Sequence, residues 1–368
     1  MTFSDTDRRW MGRALALARR ALGRTSPNPL VGAVLVKGGR LIAEGYHRGP
    51  GTPHAEAVAL ERAGKRARGA TLYVTLEPCS HTAKRTPPCA PRVAAAGLAR
   101  MVVAMADPNP QVSGSGLAHL AATGLKVETG CLEAPAAALN APYIRAMSTG
   151  LPWVTLKIAQ TLDGRVATAS GHSQWITGEA ARRHGHRMRA THDVILVGAG
   201  TVRADDPRLT CRLPRGRNPL RVVVDSRLST IPAARLLTAA PPGPTILATT
   251  DAAPVERRRA LEAAGATVLE LPASGDRVDL TALMRHLAES GHHRVLCEGG
   301  PRLSAALLSA VLVDRVACFV APRLMGGDDA RGAVGGPSPL TVDDCTRLTP
   351  FSIRRLGDDL LLTADVIR

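Results

Sequence analysis

The chain has 368 residues, of which 45% are hydrophobic, so it is long enough to form two ordinary domains with apolar cores. Its 47 basic and 31 acidic residues give a formal charge of +16, and its 7 cysteines, an odd number, argue against a disulfide framework. No apolar run approaches the roughly 20 residues that span a bilayer, and the N-terminus lacks the basic-then-apolar order of a signal peptide, so we expect a cytoplasmic protein with no membrane partner.

The first 148 residues alternate between helical and strand periodicity, a pattern typical of an α/β layered domain. The predicted helices lie near 5–22, 54–67, 116–123 and 133–147, with one more after Pro91, and the predicted strands lie near 30–36, 41–46, 70–75, 101–105 and 126–129. The alternation restarts after Gly150-Leu151-Pro152, where an apolar strand begins. We therefore place a domain boundary between residues 148 and 149.

The second half also alternates strands and helices. Strands are predicted near 153–158, 193–197, 220–225, 245–249, 267–271, 294–298, 315–320, 351–356 and 359–364, helices near 178–190, 254–264, 280–290 and 301–310, and a loop over 226–244. Glycine pairs stand at several strand ends, where backbone amides can approach a phosphate. No Gly-x-Gly-x-x-Gly fingerprint occurs, so an ordinary dinucleotide-binding fold is not indicated.

One histidine and two cysteines stand where they can bind a metal ion. His54 opens a predicted helix, Cys79 follows the strand at 70–75, and Cys89 precedes the next helix. Three such ligands hold zinc and leave its fourth position open for water, and Glu56 stands where hydrolytic deaminases have their acid/base partner. The pattern predicts one catalytic zinc ion and the replacement of an amine by oxygen on a heterocycle.

Ordered motifs along nearly the whole chain resemble the bifunctional deaminase–reductase family of riboflavin biosynthesis. In the first half they are Asn-Pro-Leu-Val-Gly-Ala at 28–33, His-Ala-Glu at 54–56, Thr-Leu-Glu-Pro-Cys-Ser-His at 75–81, Thr-Pro-Pro-Cys at 86–89 and Asp-Pro-Asn-Pro-Gln-Val at 107–112. In the second half they are Ser-Gln-Trp-Ile-Thr at 173–177, the run 197–207, and Cys-Glu-Gly-Gly-Pro at 297–301.

This resemblance implies an α/β protein with a cytidine-deaminase-like three-layer domain over 1–148 and a dihydrofolate-reductase-like domain over 149–368. The first would use zinc to deaminate the pyrimidine of 2,5-diamino-6-ribosylamino-4(3H)-pyrimidinone 5′-phosphate. The second would use NADPH to reduce the ribosyl side chain, giving 5-amino-6-ribitylaminouracil 5′-phosphate. Family members self-associate, so we expect a homo-oligomer formed through the reductase domain.

The resemblance also implies roles for individual residues. His54, Cys79 and Cys89 would bind zinc, and Glu56 would move the proton. Contacts to the deaminase substrate would come from Asn28, His47, His81 and Arg85. Contacts to the reductase substrate would come from Lys157, Thr177, Arg189, Asp205, Arg212 and Glu298, and contacts to NADPH from Thr201, Ser226, Gly299 and Gly300. Lys157 is the only lysine in residues 149–368, which suggests a need for a compact charge.

The loop between the two cysteines departs from the family pattern. Nine residues, 80–88, separate Cys79 from Cys89, whereas the family usually has eight with a glycine among them. Alignment backwards from 86–89 puts Arg85 in the family's basic position, and Lys84 is the other candidate. Because glycine permits positive φ, its loss indicates that the extra residue rebuilds the turn, with consequences for substrate contacts in this loop.

Two other classes of function remain open at this point. Residues 1–148 carry 19 basic and 9 acidic residues, a net +10, which suits a nucleic-acid-editing deaminase. The long cysteine loop and the reductase motifs argue against that alternative. The other is a non-catalytic ligand-binding protein whose altered loop has abolished the first site, and stoichiometric zinc without ammonia release would favour it.

Overall fold

The computed structural model describes residues 2–80, 87–110, 112–239 and 243–368. The chain divides into two compact units, Met1–Leu151 and Pro152–Arg368, each with apolar clusters of its own. Phe, Trp and Tyr occur only three times each, so aliphatic residues such as Leu35, Leu72 and Val102 form most of the first core. Among the described residues, no helix is both long and apolar enough to cross a membrane.

The first unit is built around one five-stranded sheet. Its strands are β1 (Gly32–Lys37), β2 (Arg40–Tyr46), β3 (Thr71–Val74), β4 (Arg100–Val103) and β5 (Lys126–Thr129). Its helices are α1 (Asp5–Arg19), α2 (Ala55–Ala63), α3 (Cys89–Ala95), α4 (Ser115–Ala122), α5 (Glu133–Leu139) and α6 (Ala141–Thr149). The strand order is β2-β1-β3-β4-β5, with β1 antiparallel to both neighbours and β3, β4 and β5 parallel.

Two glycines show that α1 and α2 cover opposite faces of this sheet. A Cβ atom at Gly32 would lie 2.0 Å from the Ala14 carbonyl oxygen of α1, and one at Gly45 would lie 2.6 Å from the Ala55 carbonyl oxygen of α2. Gly45 pairs with Ala33, and paired residues share a face while neighbours along a strand alternate. The unit is therefore three-layered, and both helices pack at distances that only glycine allows.

The predicted helix over 133–147 is in fact two helices that meet at Asn140. The side-chain oxygen of Asn140 accepts from the Leu30 N–H at 2.8 Å, and its amide nitrogen donates to the Leu30 carbonyl at 3.0 Å. Pro142 stands in the first turn of α6, where a missing N–H is tolerated. The prediction was wrong here because the bonds that favour the break join residues 110 positions apart.

The second unit is built around a nine-stranded sheet. The sheet strands are β6 (Trp153–Thr161), β8 (Val194–Gly198), β9 (Leu220–Val224), β10 (Thr245–Thr249), β11 (Thr267–Glu270), β14 (Arg294–Cys297), β15 (Arg315–Ala321), β17 (Ser352–Leu356) and β18 (Asp359–Asp365). The shorter strands are β7 (Arg165–Ala167), β12 (Ala273–Ser274), β13 (Arg277–Val278) and β16 (Arg331–Gly332). The helices are α7 (Glu179–Thr191), α8 (Ala199–Asp205), α9 (Arg235–Thr238), α10 (Val255–Ala263), α11 (Leu280–Glu289) and α12 (Pro301–Ser309).

The strand order of this sheet is β11-β10-β9-β8-β14-β6-β15-β18-β17. Reading along this order, the first seven strands, from β11 through β10, β9, β8, β14 and β6 to β15, are parallel to one another. The last two strands, β18 and β17, each run antiparallel to the strand before them. Parallel strands end at the same edge, where open α/β sheets bind ligands. Gly198, Ser226 and Glu298, which end or follow β8, β9 and β14, are therefore brought to that edge.

Sequence periodicity missed the short elements around this edge. β7 pairs with β16, and β12 pairs with β13. Helix α8 begins directly after β8, and α9 lies inside the segment predicted to be loop. Elements of two to seven residues are too short to show a clear period, and their pairing depends on contacts far apart in the chain.

Candidate active sites

The three predicted metal ligands meet at one point of the first unit. His54 is the N-cap of α2, Cys79 lies in the loop after β3, and Cys89 is the first residue of α3. Their ligand atoms all lie within 4.8 Å of one another, and 3.4 Å separates the Cys79 Sγ from the His54 Nδ1. Tetrahedral zinc with bonds of about 2.0–2.3 Å places its ligand atoms roughly 3.3–3.8 Å apart, so the His54–Cys79 distance already suits zinc and small side-chain adjustments bring all three ligands to one ion.

Cys79 is held in place by the start of α3. The backbone N–H groups of Cys89 and Ala90 both donate to the Cys79 carbonyl oxygen at 3.1 Å. The Cys89 N–H also lies 3.4 Å from the Cys79 sulfur. Ser80, the residue after Cys79, is joined to Ser115 at the start of α4 by a hydrogen bond of 2.6 Å between the two hydroxyl groups.

Glu77, two residues before Cys79, anchors a second chain segment beside the metal ligands. Its carboxylate is 3% exposed and accepts four backbone hydrogen bonds. The donors, at 2.9–3.2 Å, are the N–H groups of Asp107, Gly114, Gly116 and Leu117. A Cβ at Gly116 would lie 2.0 Å from the Pro78 carbonyl oxygen. Asp107 and residues 114–117 are therefore fixed tightly against the Glu77–Cys79 turn.

Glu56 and His47 lie close to His54. Glu56 is in the first turn of α2 and only 3% exposed. The His47 and His54 rings are edge to face, with centroids 5.3 Å apart. The Pro53 carbonyl, 3.3 Å from the His47 Nδ1, can only accept, so that nitrogen carries the proton and the Nε2 accepts from the Asn28 amide at 3.0 Å. Burial lowers the pKa of His47, which keeps its ring neutral at neutral pH.

Two predicted residues of this site, His81 and Arg85, lie outside the described residues, as does Lys84. The structure adds two residues to which the sequence analysis gave no role, Glu77 and Asp107. Asp107 is 6% exposed and accepts from the Tyr143 hydroxyl at 3.0 Å, and burial raises its pKa. Glu77 and Asp107 both belong to sequence motifs quoted above, at 75–81 and 107–112, and these motifs could have identified them as site residues.

A cavity of about 2200 Å³ opens at the carboxyl edge of the sheet in the second unit. All ten residues predicted to contact the reductase substrate or NADPH line it. They are Lys157, Thr177, Arg189, Thr201, Asp205, Arg212, Ser226, Glu298, Gly299 and Gly300. Ligand cavities for one small molecule are about 300–1,000 Å³, so this one has room for a dinucleotide together with a second small molecule.

A buried ionic cluster stands in this cavity. The Nε and Nη2 of Arg189 each donate to the Glu298 carboxylate at 2.9 Å, and its Nη1 donates to the Thr210 carbonyl at 3.0 Å. The Lys157 Nζ lies 3.8 Å from the same carboxylate and 5.6 Å from the centroid of the Phe319 ring. Burial raises the pKa of Glu298, but Arg189 and Lys157 outweigh it and hold that pKa at about 2. Glu298 is therefore a hydrogen-bond acceptor, not a proton donor, at neutral pH.

Arg212 lies among like charges in the same cavity. Burial lowers the pKa of Arg212, and nearby Arg189, Arg208 and Arg235 lower it further. Arg189 is paired with Glu298. Like charges held together favour the binding of an anion, so this cluster suits a phosphate group.

The residues predicted to contact NADPH form another part of the cavity wall. A Cβ at Gly300 would lie 3.8 Å from the Thr201 Oγ1, so the Thr201 hydroxyl is close to the turn that precedes α12. Helix N-termini carry unpaired N–H groups that bind phosphate. Of the predicted substrate contacts, Thr177 is 8% exposed, and Asp205 accepts from the Ser173 hydroxyl at 3.4 Å.

Comparisons with known proteins agree with this two-part architecture. The family model of the cytidine and deoxycytidylate deaminase zinc-binding region matches residues 4–105, and that of the RibD C-terminal domain matches residues 152–362. The riboflavin biosynthesis protein RibD of Bacillus amyloliquefaciens is 43% identical over 96% of this chain and 95% of its own. The RibD of Escherichia coli (strain K12) is 42% identical over 97% of this chain and 98% of its own.

Solved structures give the same result. Form 1 of Acinetobacter baumannii RibD superposes with a TM-score of 0.88 at 39% identity and covers 99% of both chains. A diaminohydroxyphosphoribosylaminopyrimidine deaminase/5-amino-6-(5-phosphoribosylamino)uracil reductase from Thermotoga maritima superposes with a TM-score of 0.85 at 34% identity, covering 98% of this chain and 99% of that one.

Fold and sites thus define a two-domain enzyme, in which a zinc-binding deaminase domain of the cytidine-deaminase type precedes a reductase domain with a dihydrofolate-reductase-like fold. The chain belongs to the RibD family of riboflavin biosynthesis proteins. It is a bifunctional enzyme that acts on small phosphorylated pyrimidines, with zinc as the cofactor of deamination and NADPH as that of reduction. The predicted fold class, enzyme class and cofactors are confirmed.

Proposed function

We propose that Met1–Leu151 and Pro152–Arg368 catalyse two successive steps on one metabolite. The first unit would release ammonia from 2,5-diamino-6-ribosylamino-4(3H)-pyrimidinone 5′-phosphate, and the second would reduce the ribosyl group of the product to ribityl. The deaminase assignment depends above all on the convergence of His54, Cys79 and Cys89 beside the buried Glu56.

In the deaminase unit, His54, Cys79 and Cys89 would hold a zinc ion, which would lower the pKa of its bound water to about 7. Glu56 accepts the proton of the attacking water and passes it to a ring nitrogen. Glu56 then takes the proton of the hydroxyl group newly bonded to the attacked ring carbon and gives it to the departing amine, so the C–N bond breaks, ammonia leaves and a carbonyl remains. Asn28, held by the neutral His47, presents its amide to the pyrimidine edge, because the His47 Nε2 accepts from the Asn28 nitrogen and leaves the amide oxygen available.

In the reductase unit, residues lining the cavity would hold NADPH, which would supply a hydride to C1 of the ring-opened, imine form of the ribosylamine, while solvent supplies the proton for the imine nitrogen. Glu298 is ionised and anchored by Arg189, so it accepts hydrogen bonds from ribose hydroxyls. Lys157 lies beside that carboxylate and orients the same end of the sugar. The arginine cluster at Arg212 binds the substrate phosphate. In this arrangement positioning contributes much of the catalysis.

Two substitutions test the division of labour. Glu56→Ala should reduce ammonia release by about 10²–10⁴-fold while the reduction of pre-deaminated substrate continues at the wild-type rate. Lys157→Ala should do the reverse, and Lys157→Arg should fail to restore reduction if a compact charge is needed. Glu61→Ala, at an exposed position of α2, is the matched control for Glu56. Loss of both activities in either variant would count against two independent sites.

We also propose that the protein forms a homo-oligomer through its reductase unit. β17 is an edge strand of the large sheet, and Phe351, Ile353 and Leu360 near it are 54%, 66% and 41% exposed. Exposed apolar edge strands favour pairing with another chain. Light scattering should give a mass above the 38.6 kDa of one chain, and Ile353→Lys should lower it. Val255→Lys, at an exposed position on α10, should not; a wild-type monomer would exclude the proposal.

A cytoplasmic location is the last part of this proposal. The seven cysteines, all within the described residues, form no disulfide bond with one another, and Cys345 is exposed, as is usual in a reducing compartment. Cell fractionation with an antibody against the chain would test it, and recovery of the protein with exported proteins would contradict it.

A further inference from the structure

Arg212 stands in a segment of the reductase unit that contains no helix or strand. The segment, 206–219, connects the end of α8 to the start of β9, and Arg212 itself is exposed. A long arginine side chain has many rotamers in water, and each one that binding excludes weakens the grip on a ligand. An arginine in such a segment can hold a phosphate well only if contacts from elsewhere fix its backbone.

Helix α7 supplies such contacts from one of its faces. His186 and Arg189 are three residues apart in this helix, so their side chains lie on the same side of it. The Arg189 Nη1 donates to the Thr210 carbonyl at 3.0 Å, and the Cys211 thiol donates to the His186 carbonyl at 3.4 Å. The backbone N–H of Arg212 donates to the His186 Nδ1 at 3.4 Å. The His186 ring therefore contacts the main chain of Arg212 itself.

The His186 ring is neutral and accepts with its Nδ1. A backbone N–H can only donate, so the Nδ1 that faces Arg212 carries no proton, and the proton of the ring is on the Nε2. Burial lowers the pKa of His186, and the charges of Arg189 and Arg212 lower it further. Glu298 and a hydrogen bond to the Thr210 backbone oppose this change, but the pKa stays below its usual 6.5. The acceptor is therefore present at neutral pH.

The turn around Arg212 is compact. The Cys211 N–H donates to the side-chain oxygen of Asn218 at 2.8 Å, and a Cβ atom at Gly216 would lie 2.4 Å from the Cys211 sulfur. These contacts fix the residue before Arg212, and the bond to His186 fixes Arg212 in turn. His186 and Arg212 both line the cavity, so the bond between them acts at the place where the substrate phosphate is expected.

We propose that His186 is a positioning residue for the reduction, whose ring holds the backbone of Arg212 so that the guanidinium group meets the substrate phosphate. The inference rests on the proposed function in one respect, the assignment of Arg212 to that phosphate. His186 acts through Arg212, so its loss weakens the binding of phosphorylated ligands and leaves the chemical step unchanged. The physical reason is that an Arg212 released from the ring must be ordered again each time a ligand binds.

A double-mutant cycle on the full-length, zinc-loaded protein tests this role. The probes are 5-amino-6-ribitylaminouracil 5′-phosphate and the same compound without its phosphate, titrated by calorimetry. For the phosphorylated probe, Arg212→Ala should raise the Kd by at least about tenfold and His186→Leu by about fivefold. The Kd of the other probe should change by less than about twofold. In the Arg212→Ala background, His186→Leu should have no further effect. In turnover, His186→Leu should raise KM while kcat is unchanged.

Two further variants serve as a rescue and as a control. His186→Asn places a side-chain oxygen where the Nδ1 of the ring stood, so it can still accept from the Arg212 N–H and should keep both Kd values near those of the wild type. His286→Leu makes the same change as His186→Leu on α11, away from the cavity lining, and should leave both Kd values unchanged. Every variant should bind NADPH with the wild-type Kd, as a check on the fold of this unit.

The outcomes separate this inference from the proposed function. If Arg212→Ala weakens the phosphorylated probe and His186→Leu does not, the positioning role fails and the phosphate assignment stands. If Arg212→Ala does not discriminate between the probes, the phosphate assignment fails, and the positioning role fails with it. Equal weakening of both probes by His186→Leu, loss of its NADPH binding, or failure of His186→Asn to restore the Kd would each show a general structural role and overturn the inference.

Discussion

Glu77→Gln should destabilise the deaminase unit severely although it changes one oxygen to nitrogen. The wild-type carboxylate accepts two backbone N–H groups on each oxygen. The amide keeps one acceptor oxygen and turns an NH2 group toward the other two donors. Hydrogen bonds to charged groups contribute about 1.5–3 kcal/mol each, so the loss of two costs about 3–6 kcal/mol, which is a large part of the stability of an ordinary domain.

Urea unfolding of the zinc-loaded protein, followed by release of zinc to a chelating dye, reports on this unit because His54, Cys79 and Cys89 all belong to it. With a slope of about 1–3 kcal/mol per molar urea, the midpoint should fall by at least about 1 M. Glu61→Gln makes the same chemical change at an exposed position and should have almost no effect. A cost below about 1 kcal/mol for Glu77→Gln would refute the reasoning, since it would mean that the four bonds do not fix the segment.

Two further predictions concern one unit each. Gly116→Ala places a Cβ atom 2.0 Å from the Pro78 carbonyl oxygen, so ammonia release should fall by at least about tenfold while NADPH oxidation on pre-deaminated substrate is unchanged; equal loss of both would contradict a local clash. Arg189 and Lys157 hold the pKa of Glu298 at about 2, below its usual 4.5, so the stabilisation from this carboxylate is present above pH 4.5 and is lost as the pH falls toward 2. Glu298→Gln should flatten the pH dependence of thermal unfolding of the reductase unit over that interval, and a profile parallel to the wild type would contradict the assignment.

The metal site could be predicted because its residues belong to short local patterns. His54 and Glu56 share the first turn of α2, and Cys89 begins α3. A helix start fixes the relative directions of such side chains, whatever the rest of the chain does. The interval between Cys79 and Cys89 departs from the family pattern, yet the ligand atoms still converge.

The supporting contacts could not be predicted, because they join positions far apart in the chain. Glu77 accepts from residues 30–40 positions later, and Arg189 is paired with Glu298, 109 positions later. Glu298 directly follows β14, which lies between β6 and β8, so its position depends on strand order. Sequence periodicity identifies strands but not their order. It therefore cannot predict that Glu77 meets its backbone donors or that Arg189 pairs with Glu298.

The positive surplus of the second half of the chain lies mostly in its small-molecule site. Residues 149–368 contain 28 basic and 22 acidic residues, a surplus of six. Among the described residues, twelve basic and seven acidic ones line the reductase cavity, a surplus of five. Nearly all the excess charge of this half therefore stands in one concave site, where it attracts phosphorylated ligands. A surface that tracks a nucleic-acid backbone would instead spread its cations along an exposed face.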